Sequence, residues 1–259
     1  TSWEMFHLSK AADRIEKHCK LLASKHELVA ICESKYLMYK HFEGKIDVPE
    51  FYLVKTMAEL IEAAEKLGYP EKDVVFKPPE GKGARGVRVL TEKSDRYDLL
   101  FNGRPFAKSI SMDELKSTVG KKEIPTLMIM EYLDGVELKI DPVLQNGEML
   151  TCSVKNRLNF ASGLAMGFEM IEDNVALDYA EKLLEHLPMD YCIDISTRGG
   201  VLMEINPRVS TYIYGENYCP AYLSLKLAMG EMSADEVRSF QKELPIGKKM
   251  FRYYGQIDY

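Results

Sequence analysis

The sequence predicts an α+β protein of two lobes built on antiparallel sheets. Three observations predict it. Short apolar runs of strand length are joined by short turns, Asn146-Gly147 being the strongest hairpin signal among them. Helices open on S/T-x-x-E signals at Thr56–Glu59, Ser111–Glu114 and Ser233–Glu236, outside any regular alternation with strands, which argues against a doubly wound parallel sheet. The chain has 259 residues, 46% hydrophobic and 29% charged, a globular composition with room for a substantial core.

Taken in order, residues 8–25 carry helical spacing (Leu8, Ala12, Ile15, Cys19, Leu22), residues 28–32 suit a short strand, and residues 34–42 a second helix. A strand is expected over 51–54. The Thr56 cap then opens a helix through Leu67, with an apolar stripe of Met57, Leu60, Ile61, Ala64 and Leu67. Strands follow at 74–77, 87–90, 127–133, 137–144 and 149–154, then an amphipathic helix at 178–187 and strands at 191–195 and 201–206. A boundary falls near 103–125. The expected division is 1–32 as the tail of a preceding domain, 33–110 as a small N-terminal lobe with a flap at 78–86, and 111–259 as a larger C-terminal lobe.

The net charge of −6 argues against a nucleic-acid surface or an anionic-membrane surface, so phosphate chemistry would need a local basic cluster. Five widely spaced cysteines without a CxxC pair imply neither a zinc site nor a disulfide framework, and a cytoplasmic location is the simplest expectation. No apolar run approaches the roughly 20 residues needed to span a bilayer.

Three segments carry chemistry. In Val201-Leu-Met-Glu204-Ile-Asn206-Pro-Arg208 an apolar run ends in an acid, an amide and an arginine. Strand alternation puts Glu204 and Asn206 on one face, two oxygen ligands suited to a hard cation holding phosphate. If the Ser196-Thr-Arg-Gly-Gly200 turn closes symmetrically, Asp194 lies opposite Leu202 and shares that face. Ile193, Ile195, Val201, Met203 and Ile205 take the other. An ordinary hairpin with one wet face fits the same pattern. The second segment is Val74-Val-Phe-Lys77 followed by Gly81, Gly83 and Gly86. It has the GxGxxG letters, but a strand follows where a Rossmann turn needs a helix. It reads as a strand–loop–strand flap with Lys77 at its base and Lys82 and Arg85 at its tip, or as a solvated hairpin. In the third, Glu131 enters an Asp134-Gly135 turn and Glu137, Lys139 and Asp141 alternate onto one face, either as acceptors for a nucleoside or as a charged edge.

In this order the segments resemble the ATP-grasp superfamily, above all the ATP-grasp units of the carbamoyl-phosphate synthase large subunit and related carboxylate–amine ligases. Ser34-Lys35 through Phe42 with Val48-Pro49 resembles the opening step. Val75-Phe-Lys77-Pro78 resembles the phosphate strand and flap, Met130-Glu131-Tyr-Leu-Asp-Gly-Val-Glu137 the nucleoside segment, and Glu204-Ile-Asn206-Pro-Arg208 the metal signature. The likeness covers roughly residues 33–230. The family normally has a preceding α/β domain, which would be largely absent here, and the flap is more charged than is usual. The resemblance implies an ATP-grasp fold whose two lobes clasp ATP. Lys35 and Lys77 would hold phosphates, and Gly81, Gly83 and Gly86 would line the flap. Glu131, Tyr132 and Leu133 would meet adenine, and Glu137 the ribose. Asp194, Glu204 and Asn206 would bind Mg2+, two ions with Mn2+ able to substitute. Arg208 would contact the reacting phosphate, with Lys155 and Arg157 as further catalytic candidates.

The implied activity is ATP- and Mg-dependent ligation of a small-molecule carboxylate to an amine or thiol, through an acyl phosphate with ADP release. A nucleotide-binding sensor or scaffold and an ATP-grasp phosphotransferase are the alternatives. No nucleic-acid or membrane partner is expected, and homo-oligomerisation is left open. The five histidines lie on expected helices or outside the motifs, which suits a reaction needing no covalent nucleophile.

Overall fold

The computed structural model describes residues 2–81, 83–93, 96–101, 108–158, 160–161, 164–210, 217–251 and 255. These form two compact units, Pro49–Asp134 and a second made of Thr1–Val48 with Gly135–Tyr259.

The N-terminal segment is helical: α1 (Ser2–Lys10), α2 (Ala12–Ile15), α3 (His26–Glu33) and α4 (Lys35–Phe42). Two expectations change here. The helix expected over 8–25 starts earlier and stops at Ile15. Beyond it, Ser24 leaves the helical path to exchange hydrogen bonds with the Asp190 backbone, accepting from its N–H at 2.9 Å and donating to its carbonyl at 3.1 Å. The strand expected at 28–32 is part of α3, whose Val29 is fully buried; its branched residues are compatible with either state, and packing decides. Ser34 caps α4 by accepting the Leu37 N–H. Residues 1–32 fall in the same compact unit as residues 135–259.

The Pro49–Asp134 unit holds β1 (Phe51–Val54), α5 (Met57–Lys66), β2 (Val74–Lys77), β3 (Arg88–Leu90), α6 (Arg96–Phe101), β4 (Ser109–Ile110), α7 (Met112–Val119) and β5 (Leu127–Glu131). Its five-stranded sheet runs β1-β5-β2-β3-β4, antiparallel except for β3 beside β4. The expected stripe of α5 packs on this sheet: Leu60, Ala64 and Leu67 join Val74, Phe76, Leu90 and Ile129 in one core, with Met57 and Ile61 at its margin. The boundary expected near 103–125 lies at Asp134, because β5 inserts between β1 and β2 and so completes this sheet.

The remaining elements are β6 (Glu137–Gln145), β7 (Glu148–Arg157), β8 (Phe160–Ala161), β9 (Leu164–Ala165), β10 (Gly167–Ile171), α8 (Asn174–His186), β11 (Tyr191–Cys192), β12 (Asp194–Arg198), β13 (Val201–Asn206), α9 (Pro220–Met229), α10 (Ala234–Ser239), a 3₁₀ turn at Phe240–Glu243 and β14 (Lys249–Phe251). They build a seven-stranded antiparallel sheet ordered β13-β12-β6-β7-β10-β14, with β11 also on β6. Asn146 and Gly147, both at positive φ, close the long β6–β7 hairpin as the sequence predicts. Behind this sheet, Val143 and Leu150 pack with Tyr218, Leu223, Leu227 and Val237. No described helix is long and apolar enough to cross a membrane.

The hairpin expected around Asp134-Gly135 is not one. β5 and β6 belong to different sheets, and Gly135 is where the chain passes from one unit into the other. Gly135 sits at φ +97°, and a Cβ there would lie 3.1 Å from the Gly199 Cα, so this passage requires glycine.

Candidate functional site

One face of the seven-stranded sheet is polar where its centre should be apolar. The strand period of two puts Glu137, Lys139 and Asp141 of β6 on it, with Lys155 of β7, Asp194 and Ser196 of β12, and Glu204 and Asn206 of β13. Lys139, Lys155 and Ser196 are cross-strand neighbours in one row, which Glu204 continues opposite Ser196. The apolar residues of the same strands, Ile140, Ile195 and Ile205, alternate to the opposite face and are fully or almost fully buried there.

The register of the β12–β13 hairpin differs from symmetric closure. Asp194 pairs with Asn206, not Leu202, and a bulge between Ser196 and Thr197 resets the pairing before the Gly199-Gly200 turn. The shift is by an even number of residues, so Asp194, Glu204 and Asn206 still share a face.

Every buried charge on this face has a counter-charge. Asp194, whose side chain is 4% exposed, receives Lys139 Nζ on Oδ1 at 2.9 Å and Arg208 Nη1 on Oδ2 at 2.8 Å. Burial alone would raise its pKa, but the two cations outweigh burial and hold the carboxyl well below the usual carboxylate range. Lys139 Nζ also donates to the Ser196 hydroxyl and lies 3.7 Å from Glu204 Oε1. Burial opposes the Lys139 charge, yet Asp194 and Glu204 prevail and its pKa is raised. Glu204 is lowered in the same way, with Lys139 and Lys35 overcoming desolvation. Lys155 pairs with Asp141 and donates to Ser210 Oγ at 3.3 Å. There burial wins, and Asp141 is raised.

The expected site residues divide accordingly. Glu204, Asn206 and Arg208 come together as predicted, and Lys35, the first residue of α4, acts electrostatically on Glu204. Tyr39 of α4 donates from its hydroxyl to the Met203 carbonyl at 2.8 Å, and Ser2 Oγ donates to Asn206 Oδ1 at 3.0 Å, so the N-terminal helices position this hairpin. Lys155 is completely buried, its ammonium also 5.4 Å from the Phe168 ring centroid. Glu137 is 6% exposed, and its two oxygens are engaged by Arg157 and, at 2.9 Å, by Arg198 Nη2, so arginines are its partners within the protein.

In the Pro49–Asp134 unit, Lys77 ends β2 and is buried. Gly83 and Gly86 take positive φ, and a Cβ on Gly86 would lie 2.8 Å from the Pro78 ring, so the loop folds back on its own base. A Cβ on Gly81 would meet the Pro78 Cβ at an ordinary 3.8 Å, and Lys82 lies outside the described residues. Glu131 Oε1 accepts the Glu50 N–H at 3.0 Å, which ties β5 to the residue before β1. Tyr132 and Leu133 follow it, half-buried.

Residues missed by the sequence reading are Lys139, Ser196 and Arg198 as partners, and Ser2. Lys139 had a signal, since it alternates with Glu137 and Asp141. Ser2 had none, its role depending on a separation of 204 residues.

Glu204 and Asn206 fit one divalent cation by donor chemistry. The Glu204 side chain is 40% exposed; Asn206 Nδ2 donates to Glu204 Oε1 at 3.2 Å, while Asn206 Oδ1 accepts from Ser2 Oγ at 3.0 Å. Turning that amide over would present Oδ1 beside Glu204 and Nδ2 to the Ser2 hydroxyl, which can accept as well as donate. Asp194 fits less well, because each of its oxygens already pairs with a cation whose charge would repel a metal ion. No group of three or more His, Cys, Asp or Glu placed to hold a metal occurs among the described residues.

Comparisons with known proteins agree with this architecture. A family model described as ATP-grasp in the biosynthetic pathway with Ter operon matches residues 123–247. The carbamoyl phosphate synthase large chain of Methanobrevibacter smithii is 24% identical over 241 residues, covering 87% of this chain but 22% of that protein. Among solved structures, the carboxyaminoimidazole ribonucleotide synthase from Aspergillus clavatus complexed with ATP is similar with a TM-score of 0.65 at 15% identity, over 88% of this chain and 59% of that one. The L-amino acid ligase from Bacillus licheniformis gives a TM-score of 0.61 at 17% identity, over 91% and 57%. This chain thus spans about a fifth of that curated relative and under two thirds of those structures.

Proposed function

Because this chain belongs to the ATP-grasp superfamily, we propose that it is an ATP-dependent ligase that joins a small-molecule carboxylate to an amine or thiol. The observation that carries the reading is the set Glu204, Asn206 and Arg208 on a polar sheet face, with Lys35 acting on Glu204 from α4. In the proposed reaction the carboxylate oxygen attacks the γ-phosphorus of ATP, giving an acyl phosphate and ADP. The amine or thiol then attacks the acyl carbon and inorganic phosphate leaves. Transfer of this kind depends on positioning and charge neutralisation rather than on a covalent nucleophile.

A divalent ion on Glu204 and Asn206 would, when bound, neutralise phosphate oxygens. The chain's own residues do the rest. Arg208, fixed by Asp194, presents its planar guanidinium to a phosphoryl or acyl-phosphate oxygen. Lys35 adds a positive charge that acts on Glu204. In their own unit, Lys77 and the Gly81–Gly83–Gly86 loop are assigned to phosphate, and the Glu131–Leu133 backbone to the adenine edge. The arginines 157 and 198 hold Glu137 and shape the face, without a direct part in the chemistry.

Hydroxylamine trapping tests the reading. With Mg-ATP and a panel of carboxylates, hydroxamate should form together with ADP. ADP release without hydroxamate would point instead to the phosphotransferase. A rise in melting temperature with Mg-ATP but no ADP from any carboxylate would leave a nucleotide-binding module, a reading favoured by the full engagement of Asp194 by Lys139 and Arg208.

A further inference from the structure

The expected metal site has a cation already in it. Lys139 Nζ is 2.9 Å from Asp194 Oδ1 and 3.7 Å from Glu204 Oε1, between the two carboxylates that a pair of divalent ions would share. The placement is built by the sheet. Lys139 and Glu204 both stand opposite Ser196 on β12, one from each side, and Asp194 is two residues along. Lys139 therefore reaches Asp194 diagonally and Glu204 across the intervening strand, while Ser196 accepts a hydrogen bond from the same ammonium. Its side chain is 10% exposed, so water cannot readily take over the role of its partners. Arg208 occupies the other Asp194 oxygen at 2.8 Å. A divalent ion bridging Asp194 and Glu204 would need oxygens at roughly 2.0–2.2 Å around a point beside this ammonium, and would face direct repulsion from it. That leaves Glu204, whose side chain is 40% exposed, and Asn206 beside it as the remaining oxygen donors.

We propose that the Lys139 ammonium stands in permanently for one of the two divalent cations, so that nucleotide binds this chain with a single ion held by Glu204 and Asn206. The inference rests on the nucleotide-binding part of the reading above, and goes beyond it by fixing the ion count and the residue responsible. A tethered charge cannot dissociate, so that half of the site would be independent of the metal concentration.

Counting bound Mn2+ tests this without any turnover. The full-length protein is titrated with Mn2+ in the presence of saturating adenosine 5′-(β,γ-imido)triphosphate, and free Mn2+ is read from its electron paramagnetic resonance signal. The unmodified protein should hold one Mn2+ per chain with the nucleotide. Lys139→Met, which keeps the length of the side chain without its charge, should hold two, and Lys139→Gln serves equally if the methionine variant does not fold. Two ions in the unmodified protein would overturn the inference while leaving the nucleotide reading intact. One ion in a folded, nucleotide-binding Lys139 variant would also overturn it. Absence of nucleotide binding in the unmodified protein would overturn both together.

Discussion

Glu137 was expected to hold ribose, and its surroundings predict a different phenotype. Its carboxylate sits between Arg157 and Arg198, with the Glu137 side chain 6% exposed and the two arginines 14% and 27% exposed. In Glu137→Gln the shape is kept and the charge is lost, which leaves two guanidiniums facing a neutral amide. Breaking a buried ion pair by removing one partner costs about 3–5 kcal/mol. Because Arg198 is partly wet and can turn toward solvent, the lower end, about 3 kcal/mol, is the expected value. That is about two orders of magnitude in the folding equilibrium and a fall in melting temperature of about 6–12 °C for a unit of this size. Thermal melting of Glu137→Gln beside Glu43→Gln measures it. Glu43 pairs with Lys40 on an exposed helix surface, and its variant should be indistinguishable from the parent. A triple variant, Glu137→Met with Arg157→Met and Arg198→Met, should recover part of the loss, since replacing a whole buried ionic group is far cheaper than orphaning its members. A Glu137→Gln protein that melts within about 2 °C of the parent but has lost ATP affinity would refute this account and restore the ribose role.

Four further outcomes are expected. Glu204→Gln should abolish metal-dependent ADP release while its unfolding free energy stays within about 0.5 kcal/mol, because its side chain is 40% exposed; unchanged turnover would remove Glu204 from the metal site. Gly86→Ala should destabilise by about 1–2 kcal/mol from its φ of +73° alone and raise the KM for ATP through the clash with Pro78, both readable by chemical denaturation and steady-state kinetics. Gly147→Ala, whose Cβ would lie 2.5 Å from that of Pro188, should cost more, about 2–5 kcal/mol, with no KM change in the folded fraction. Ser233→Ala should cost about 1 kcal/mol at neutral pH. Hydrogen bonds from the Ser233 backbone and hydroxyl lower the Glu236 pKa in the folded state, so their stabilisation is present above the unfolded value of about 4.3 and fades as pH falls through the folded one. The gap between parent and variant, measured from pH 3 to 7 by denaturant titration, should therefore narrow on the acid side.

Much of the fold was legible because local signals and global packing agree. All three predicted S/T-x-x-E segments cap helices, with Thr56, Ser111 and Ser233 each accepting the backbone N–H three residues on. The strands at 51–54 and 74–77 have the expected limits. Helix α9 was legible too, with Pro220 at its first turn and Gly230 in the left-handed conformation after its end, though no expectation was drawn from it. What was not legible is non-local. Nothing near Leu127 says that β5 pairs with β1 and β2 rather than with β6, the next strand in the chain. Nothing near Ser2 says that it will bond Asn206. The bulge after Ser196 was invisible as well, and the face assignment holds because its one extra residue turns an odd displacement at the turn into an even one.

The same period explains why the roles of individual charges could not be read from spacing alone. Across β7, β6, β12 and β13 the polar face is laid out in rows. Glu137 stands opposite Arg198, while Lys155 stands opposite Lys139 and Ser196 opposite Glu204. Asp141 stands opposite Ser153, and Asp194 opposite Asn206. Like-charged Lys139 and Lys155 are thus direct neighbours, which would be unfavourable if each had no other partner. Each instead reaches diagonally into the next row, Lys139 to Asp194 and Lys155 to Asp141. The diagonal pairing gives each buried charge a counter-charge from within the protein and leaves the side chains of Glu204 and Arg208 partly exposed, at 40% and 24%. Fixed dipoles and charges of this kind favour phosphoryl transfer because they need not reorganise as charge moves. The network is therefore best understood as the support that sets the orientation of Arg208 and of the exposed Glu204 carboxylate, to which the proposed function gives an ion. On this view substitutions at the buried members of the rows should act first on stability and only through it on turnover, while those at the more exposed Glu204 should do the reverse.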